Sequence, residues 1–132
     1  MHRQLHVPKR LDMTARRCDI AILGGGLAGG LVALALRRAR PELSLLLVEQ
    51  GENLGGNHIW SFFGSDVGKA GRELLGGMVI AAWPEYTVAF PAFRRRLKTS
   101  YYSIASERFN AVVRSALGEE EIVAGVRALA CS

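Results

Sequence analysis

Cysteine is almost missing from this chain. Cys18 and Cys131 are the only two in 132 residues, and they form no C-x-x-C pair, which excludes a disulfide scaffold and a zinc site and leaves no metal to expect. A reducing, cytoplasmic setting is the default. The first residues hold no apolar h-region, which argues against a secretory signal. No G-x-x-x-x-G-K-[ST] loop is present, so a P-loop triphosphate site is excluded, and no repeat or heptad series points to a solenoid or coiled coil. The net charge of +5 does not mark a nucleic-acid surface. Arg3, Lys9, Arg10, Arg16 and Arg17, against Asp12 alone, gather it in residues 1–17, and the remainder is nearly neutral. With Pro8 among scattered cations this segment has little reason to fold, and Met13 is an alternative start.

What is abundant is apolar residues, at 49% with 22% charged, the balance of a globular domain. Residues 18–132 form one such unit, opened by the apolar run Cys18 to Leu23 and then Gly24-Gly25-Gly26-Leu27-Ala28-Gly29. This is the sequence form of a strand, a tight turn and a helix that binds a dinucleotide diphosphate. Gly24 permits the bend, Gly26 admits the pyrophosphate to the backbone, and Gly29 lets the helix lie close on its strand. The phosphates are expected on the helix N-terminus, at the amides of Leu27, Ala28 and Gly29.

The surroundings agree with the fingerprint. Leu27 to Arg40 is a helix candidate with Val32, Leu34 and Leu36, cations at its end and Pro41 as its stop. Leu45-Leu46-Leu47-Val48 reads as a buried parallel strand ending in Glu49, a carboxylate placed for a ribose hydroxyl pair and against a 2′-phosphate, which makes NADP the least suited dinucleotide. Ile20 to Leu36 runs without a charge, close to the length of a membrane span. Its five glycines would each cost a continuous helix roughly 1 kcal/mol relative to alanine, so strand, turn and helix is the better reading.

Further on, Tyr86 to Phe90 reads as a strand of a separate substrate-side layer, ending at Pro91. Ser106 caps a helix whose apolar face is Phe109, Val112, Val113, Ala116 and Leu117, with Gly118 as its end. Ile122 to Ala124 is a third parallel strand, and Val126 to Ala130 starts another. The fold class is thus α/β: a Rossmann-like βαβ unit with a parallel sheet and the start of a β-rich layer. Gly55 and Gly56, soon after Glu49, would let the backbone pass the far side of an extended cofactor, which favours FAD over NAD. A glycine turn feeding an apolar strand is the plainer alternative.

The string Gly55-Gly56-Asn57-His58-Ile59-Trp60-Ser61-Phe62 resembles the bacterial lycopene β-cyclases of carotenoid biosynthesis. So do Gly24 to Ala28, Trp83-Pro84-Glu85-Tyr86, Phe90-Pro91 with Arg94-Arg95-Arg96-Leu97, Tyr102-Ser103-Ile104 and Ser106-Glu107-Arg108-Phe109. The resemblance runs from about Cys18 to the end. Gly29 stands where the family often has asparagine, Phe63 where it often has histidine, and Lys98-Thr99-Ser100 where it tends to have Asn-Ser-Gly. Family members are longer, so the chain resembles the N-terminal portion of a cyclase, an incomplete domain with the catalytic carboxylate expected downstream, and the isolated chain is expected to be inactive.

The resemblance implies a non-redox cyclisation of the linear ends of lycopene, or a related carotenoid, to β-ionone rings. It implies reduced FAD, with NAD(P)H as external reductant, and peripheral contact with the inner face of a membrane. Trp60, Phe62 and Phe63 become pocket candidates beside a carbocation, or ordinary core aromatics. His58 is a candidate proton relay, or a structural hydrogen-bonder. Arg108, a cation in the first turn of a helix, is explained by a nearby anion such as the cofactor, or is simply exposed. Arg94 to Lys98 form a solvated face or touch anionic lipid. The competing functions are an FAD monooxygenase or prenyl reductase of the same superfamily, and a catalytically silent fragment.

Overall fold

The computed structural model describes residues 16–128. Most of the basic tail, Met13, Cys131 and the last residues of the final expected strand lie outside that range.

The uncharged run divides as its glycines require. β1 (Ile20–Leu23) ends at Gly24, and α1 (Leu27–Ala39) follows at once, presenting Gly30, Ala33 and Leu34 to the core. Among the described residues no helix is long and apolar enough to cross a membrane. β2 (Leu45–Glu49) pairs parallel to β1, from Ile20 with Leu45 to Leu23 with Val48. The start of this pair is locked by one carboxylate. Asp19 Oδ2 accepts the Ser44 N–H and the Ser44 hydroxyl, both at 2.8 Å, while the Asp19 N–H donates back to Ser44.

The chain then leaves the parallel sheet for a second layer. β3 (Ile59–Phe63) and β4 (Val79–Trp83) flank β7 (Tyr101–Ala105) in an antiparallel sheet, with α2 (Lys69–Leu75) in the β3 to β4 connection. β5 (Tyr86–Phe90) and β6 (Phe93–Leu97) form their own two-stranded hairpin, so the expected strand at Tyr86 belongs to neither larger sheet. α3 (Ser106–Ala116) leads back through a turn to β8 (Ile122–Ala124), which pairs parallel with β2 and gives the order β1-β2-β8.

α1 and α3 close one core. Leu45 and Leu47 of β2, Ile104 of β7, Phe109 and Val113 of α3, and Met78 and Leu54 from connections are all buried there. Arg37, at the end of α1, does more than complement a dipole: it pairs with Glu121 and donates to the carbonyls of Pro41 and Leu43.

Three expectations need correction. Ser106 is the first helical residue, not the cap, which is Ala105; its N–H and hydroxyl instead tie the helix start to the His58 backbone. Gly118 ends nothing by left-handed geometry, because its backbone is extended at φ −68° and ψ 155°. Val126 to Ala128 form no strand, since the Val126 N–H turns to the Glu49 carbonyl at 3.1 Å.

Candidate functional site

The site forms where β1, β2 and β8 end, the edge at which open α/β sheets bind ligands. Gly24 adopts φ +102°, which only glycine takes without strain, and its N–H donates to the Val48 carbonyl at 2.8 Å. A β-carbon on Gly29 would overlap the Gly24 carbonyl oxygen, so the close approach of helix and turn needs glycine at both positions. Around Gly24 and Gly26 a β-carbon would meet open space, which leaves the turn accessible.

The start of α1 is electrostatically bare. Its cap is Gly26, which has no side chain to satisfy an amide, and its first turn holds no acidic residue. The first helical bond runs from the Gly30 N–H to the Gly26 carbonyl at 3.0 Å, so the amides of Leu27, Ala28 and Gly29 have no partner within the helix. An anion meets them with the dipole in its favour.

Glu49 is fastened to this turn. One carboxylate oxygen accepts the Gly25 N–H and the other the Gly51 N–H, each at 2.7 Å. Both bonds hold the group at the tip of β2, and each oxygen keeps acceptor capacity for a hydroxyl. A cleft of about 240 Å³ opens beside it, lined by Leu23, Gly24, Val48, Glu49, Gln50, Val126, Arg127 and Ala128. Gly125, just before the lining residue Val126, takes φ +73°, and its N–H donates to the Gly51 carbonyl at 2.9 Å.

Gly25, Gly51 and Arg127 were not singled out by sequence reasoning. Gly25 occupies a variable position of the fingerprint, yet it is buried, and a β-carbon there would press on Leu54 and on Glu49. Nothing local announces this, because Leu54 and Glu49 reach it across the fold.

Gly55 and Gly56 both take positive φ, at +80° and +61°. The Gly55 N–H donates to the Gly25 carbonyl at 2.8 Å, which brings the second glycine turn against the first. Gly55 also has a packing reason to lack a side chain, since a β-carbon would lie 2.8 Å from Phe109 and 2.9 Å from Trp60.

The remaining candidates disperse. His58 is exposed, and its hydrogen bonds are made by its backbone to Ser106, with its ring 5.8 Å from Trp60. Among the described residues no ion pair involves His58, and its backbone bonds with Ser106 tie the start of β3 to α3. Arg108 is exposed and donates from Nε to the Gly77 carbonyl at 2.8 Å.

Strand alternation splits the three aromatics. Trp60 and Phe62 share the face of β7 Ile104 and Tyr102, where Trp60 meets Phe109 edge-on at 5.3 Å and Phe62 stacks on Tyr102 at 5.4 Å. Phe63 lies on the opposite face, 5.0 Å from Tyr101 and 5.2 Å from Tyr86. One pocket lined by all three is therefore not formed. No cluster of His, Cys, Asp and Glu able to hold a metal occurs among the described residues.

Comparison with known proteins bears on what this site serves. The chain is 52% identical over 101 residues to a lycopene beta-cyclase of Pseudescherichia vulneris, covering 76% of this chain and 26% of that protein. It is 38% identical over 100 residues to a lycopene beta-cyclase of Pantoea ananas, with the same coverage. It is 41% identical over 98 residues to one of Paracoccus sp. (strain N81106 / MBIC 01143), covering 74% and 25%. It thus spans about a quarter of the length of the curated relatives it matches. Residues 19–130, which include the glycine turn, Glu49 and the antiparallel sheet, match the family described as "Lycopene cyclase protein". By that match and those identities, the chain belongs to the lycopene cyclase family.

Proposed function

We propose that this chain is the dinucleotide-binding portion of a flavin-dependent lycopene beta-cyclase, which closes the linear ends of lycopene into β-ionone rings without net oxidation. The observation that carries the reading is the 52% identity to a lycopene beta-cyclase over 101 residues. The geometry supports a cofactor of the FAD kind. The bare amides at Leu27, Ala28 and Gly29 and the open space at Gly24 and Gly26 fit a diphosphate, and Glu49 fits a ribose hydroxyl pair. The order β1-β2-β8 is that of one half of a doubly wound dinucleotide fold.

Each part of the chain then has a task. The amides of the α1 start hold the diphosphate, Glu49 orients the adenosine ribose, and Gly55 holds the second turn against the first. Gly56, beside it, keeps the backbone clear for the extended molecule. Bound there in its reduced form, with NAD(P)H as the external reductant, FAD supplies negative charge where a carbocation develops. The antiparallel sheet contributes apolar surface that keeps water from such a cation. The reading includes a cytoplasmic protein that meets the membrane peripherally, because its substrate is an apolar carotenoid.

A chimera tests this directly. Residues 19–130 would replace the matching segment of the Pseudescherichia vulneris protein, and the product would be expressed in cells that accumulate lycopene. Conversion to β-carotene is the expected result, and unchanged lycopene from a folded chimera overturns the proposal.

A further inference from the structure

The β5–β6 hairpin stands apart from both larger sheets, and its turn carries the apolar pair Phe90 and Phe93 directly opposite each other. Phe90 and Phe93 are 65% and 55% exposed as residues, unlike the buried aromatic Phe109. Pro91 and Ala92 between them add no charge. Immediately behind the tip come Arg94, Arg95 and Arg96, all exposed, followed by Leu97 and the exposed Lys98.

Charge on this hairpin is of one sign. Glu85, just before β5, pairs with Arg96, and no acidic residue occurs between Tyr86 and Ser106. Among the described residues Arg94, Arg95 and Lys98 make no ion pair. The strand register puts Arg95 on the same face as Phe90 and Phe93, opposite Val88, and Arg94 on the other face, opposite Ala89. Cations therefore flank the aromatic tip on both sides.

From this arrangement we infer that the β5–β6 hairpin is a membrane-surface anchor, in which Phe90 and Phe93 enter the acyl boundary while Arg94 and Arg95 meet anionic phospholipid headgroups. Two signals act together, as stable interfacial binding requires. Apolar rings gain from leaving water, and each cation near an anionic leaflet gains about fivefold in partitioning. A protein partner for the tip would more naturally offer carboxylates to the arginines, and it is an outcome of the test. The inference rests on the peripheral membrane contact included in the proposed function and names the segment that makes it; its test needs neither flavin nor carotenoid, so its failure is distinct from failure of the cyclase chimera.

Sedimentation of the chain with vesicles tests it. Wild type is expected to partition onto vesicles of mixed phosphatidylcholine and phosphatidylglycerol, less onto phosphatidylcholine alone, and less at high salt. Phe90→Ser/Phe93→Ser should lower partitioning about tenfold or more, and Arg94→Ala/Arg95→Ala about twenty-five-fold, with circular dichroism unchanged. A second measurement uses Phe90→Trp, whose emission should gain quenching by bromine-labelled lipid chains over the wild-type background. Unchanged partitioning of both double variants overturns the anchor, because the binding would then reside outside the hairpin. So does absence of added quenching, or protection of Phe90 and Phe93 from hydroxyl-radical labelling in the chimera before lipid is added, which would show a protein segment covering them.

Discussion

Phe109 occupies the space that a β-carbon on Gly30 would take. Its ring atom Cε2 would lie 2.8 Å from that carbon and Cζ closer still, so the crossing of α1 and α3 depends on a missing side chain. Phe109 is fully buried, and the ring also fills the space beside Gly55. One aromatic thus joins both helices to the second glycine turn.

Gly30→Ala follows from this contact. Alanine gains about 1 kcal/mol of helix propensity, but overpacking costs about 1–3 kcal/mol, and a rigid buried ring cannot move aside cheaply. A net loss of up to about 2 kcal/mol is expected in urea denaturation. Phe109→Ala alone should cost about 3–5 kcal/mol, and adding Gly30→Ala to it should recover stability. Additive losses would show that the two residues do not meet.

Gly29→Ala places its methyl group on the Gly24 carbonyl oxygen. Backbone cannot yield as a flexible side chain does, so a loss at the upper end of about 1–3 kcal/mol is expected. Gly26→Ala meets no atom within 4 Å, so its melting temperature should stay near wild type, while the proposed function expects weaker flavin retention by the cyclase chimera that carries it. Thermal melts alongside flavin absorbance separate the two effects.

Glu49→Gln replaces one acceptor oxygen by an NH₂ group that must face the N–H of Gly25 or Gly51. Losing one charge-assisted bond should cost about 1.5–3 kcal/mol. Hydrogen exchange should rise at whichever of the Gly25 and Gly51 amides loses its acceptor. Unchanged exchange at both would show that the carboxylate does not hold the turn.

Asp19 gives an acid-limb prediction. The Ser44 backbone N–H, and then the Ser44 hydroxyl, hold its carboxyl below the ordinary aspartate value. Its folded pKa is depressed, so the folded state binds the proton less tightly than the unfolded chain. The contribution is present above the unfolded value and is lost as pH falls through the folded one. Asp19→Asn should flatten the stability profile in that acid window and leave its shape near neutral pH unchanged, as followed by denaturation at a series of pH values.

The glycine turn was legible because its demands are local: Gly24 must bend, Gly29 must touch the turn, and Glu49 ends the next strand. Ile122 to Ala124 was legible as a parallel strand from its apolar run. What was missed needed partners distant in sequence. The acceptor that Arg108 Nε finds, the Gly77 carbonyl, lies 31 residues away. Ser106 has a good capping side chain, but the ladder between Ile59 and Ala105 draws it to His58 instead. The separation of Phe63 from Trp60 and Phe62 follows from two-residue alternation once β3 is known to be a strand.

The seat of β8 beside β2 has a consequence for synthesis. Leu47 acquires its neighbour Ile122 only after the whole antiparallel layer and both later helices have left the ribosome. Until then one edge of the β1–β2 pair lies open, with its amides and carbonyls available to any passing strand. Such distant pairing is intrinsically slow, so the nascent chain should be most vulnerable to self-association in that interval, and early termination before Ile122 should yield insoluble product.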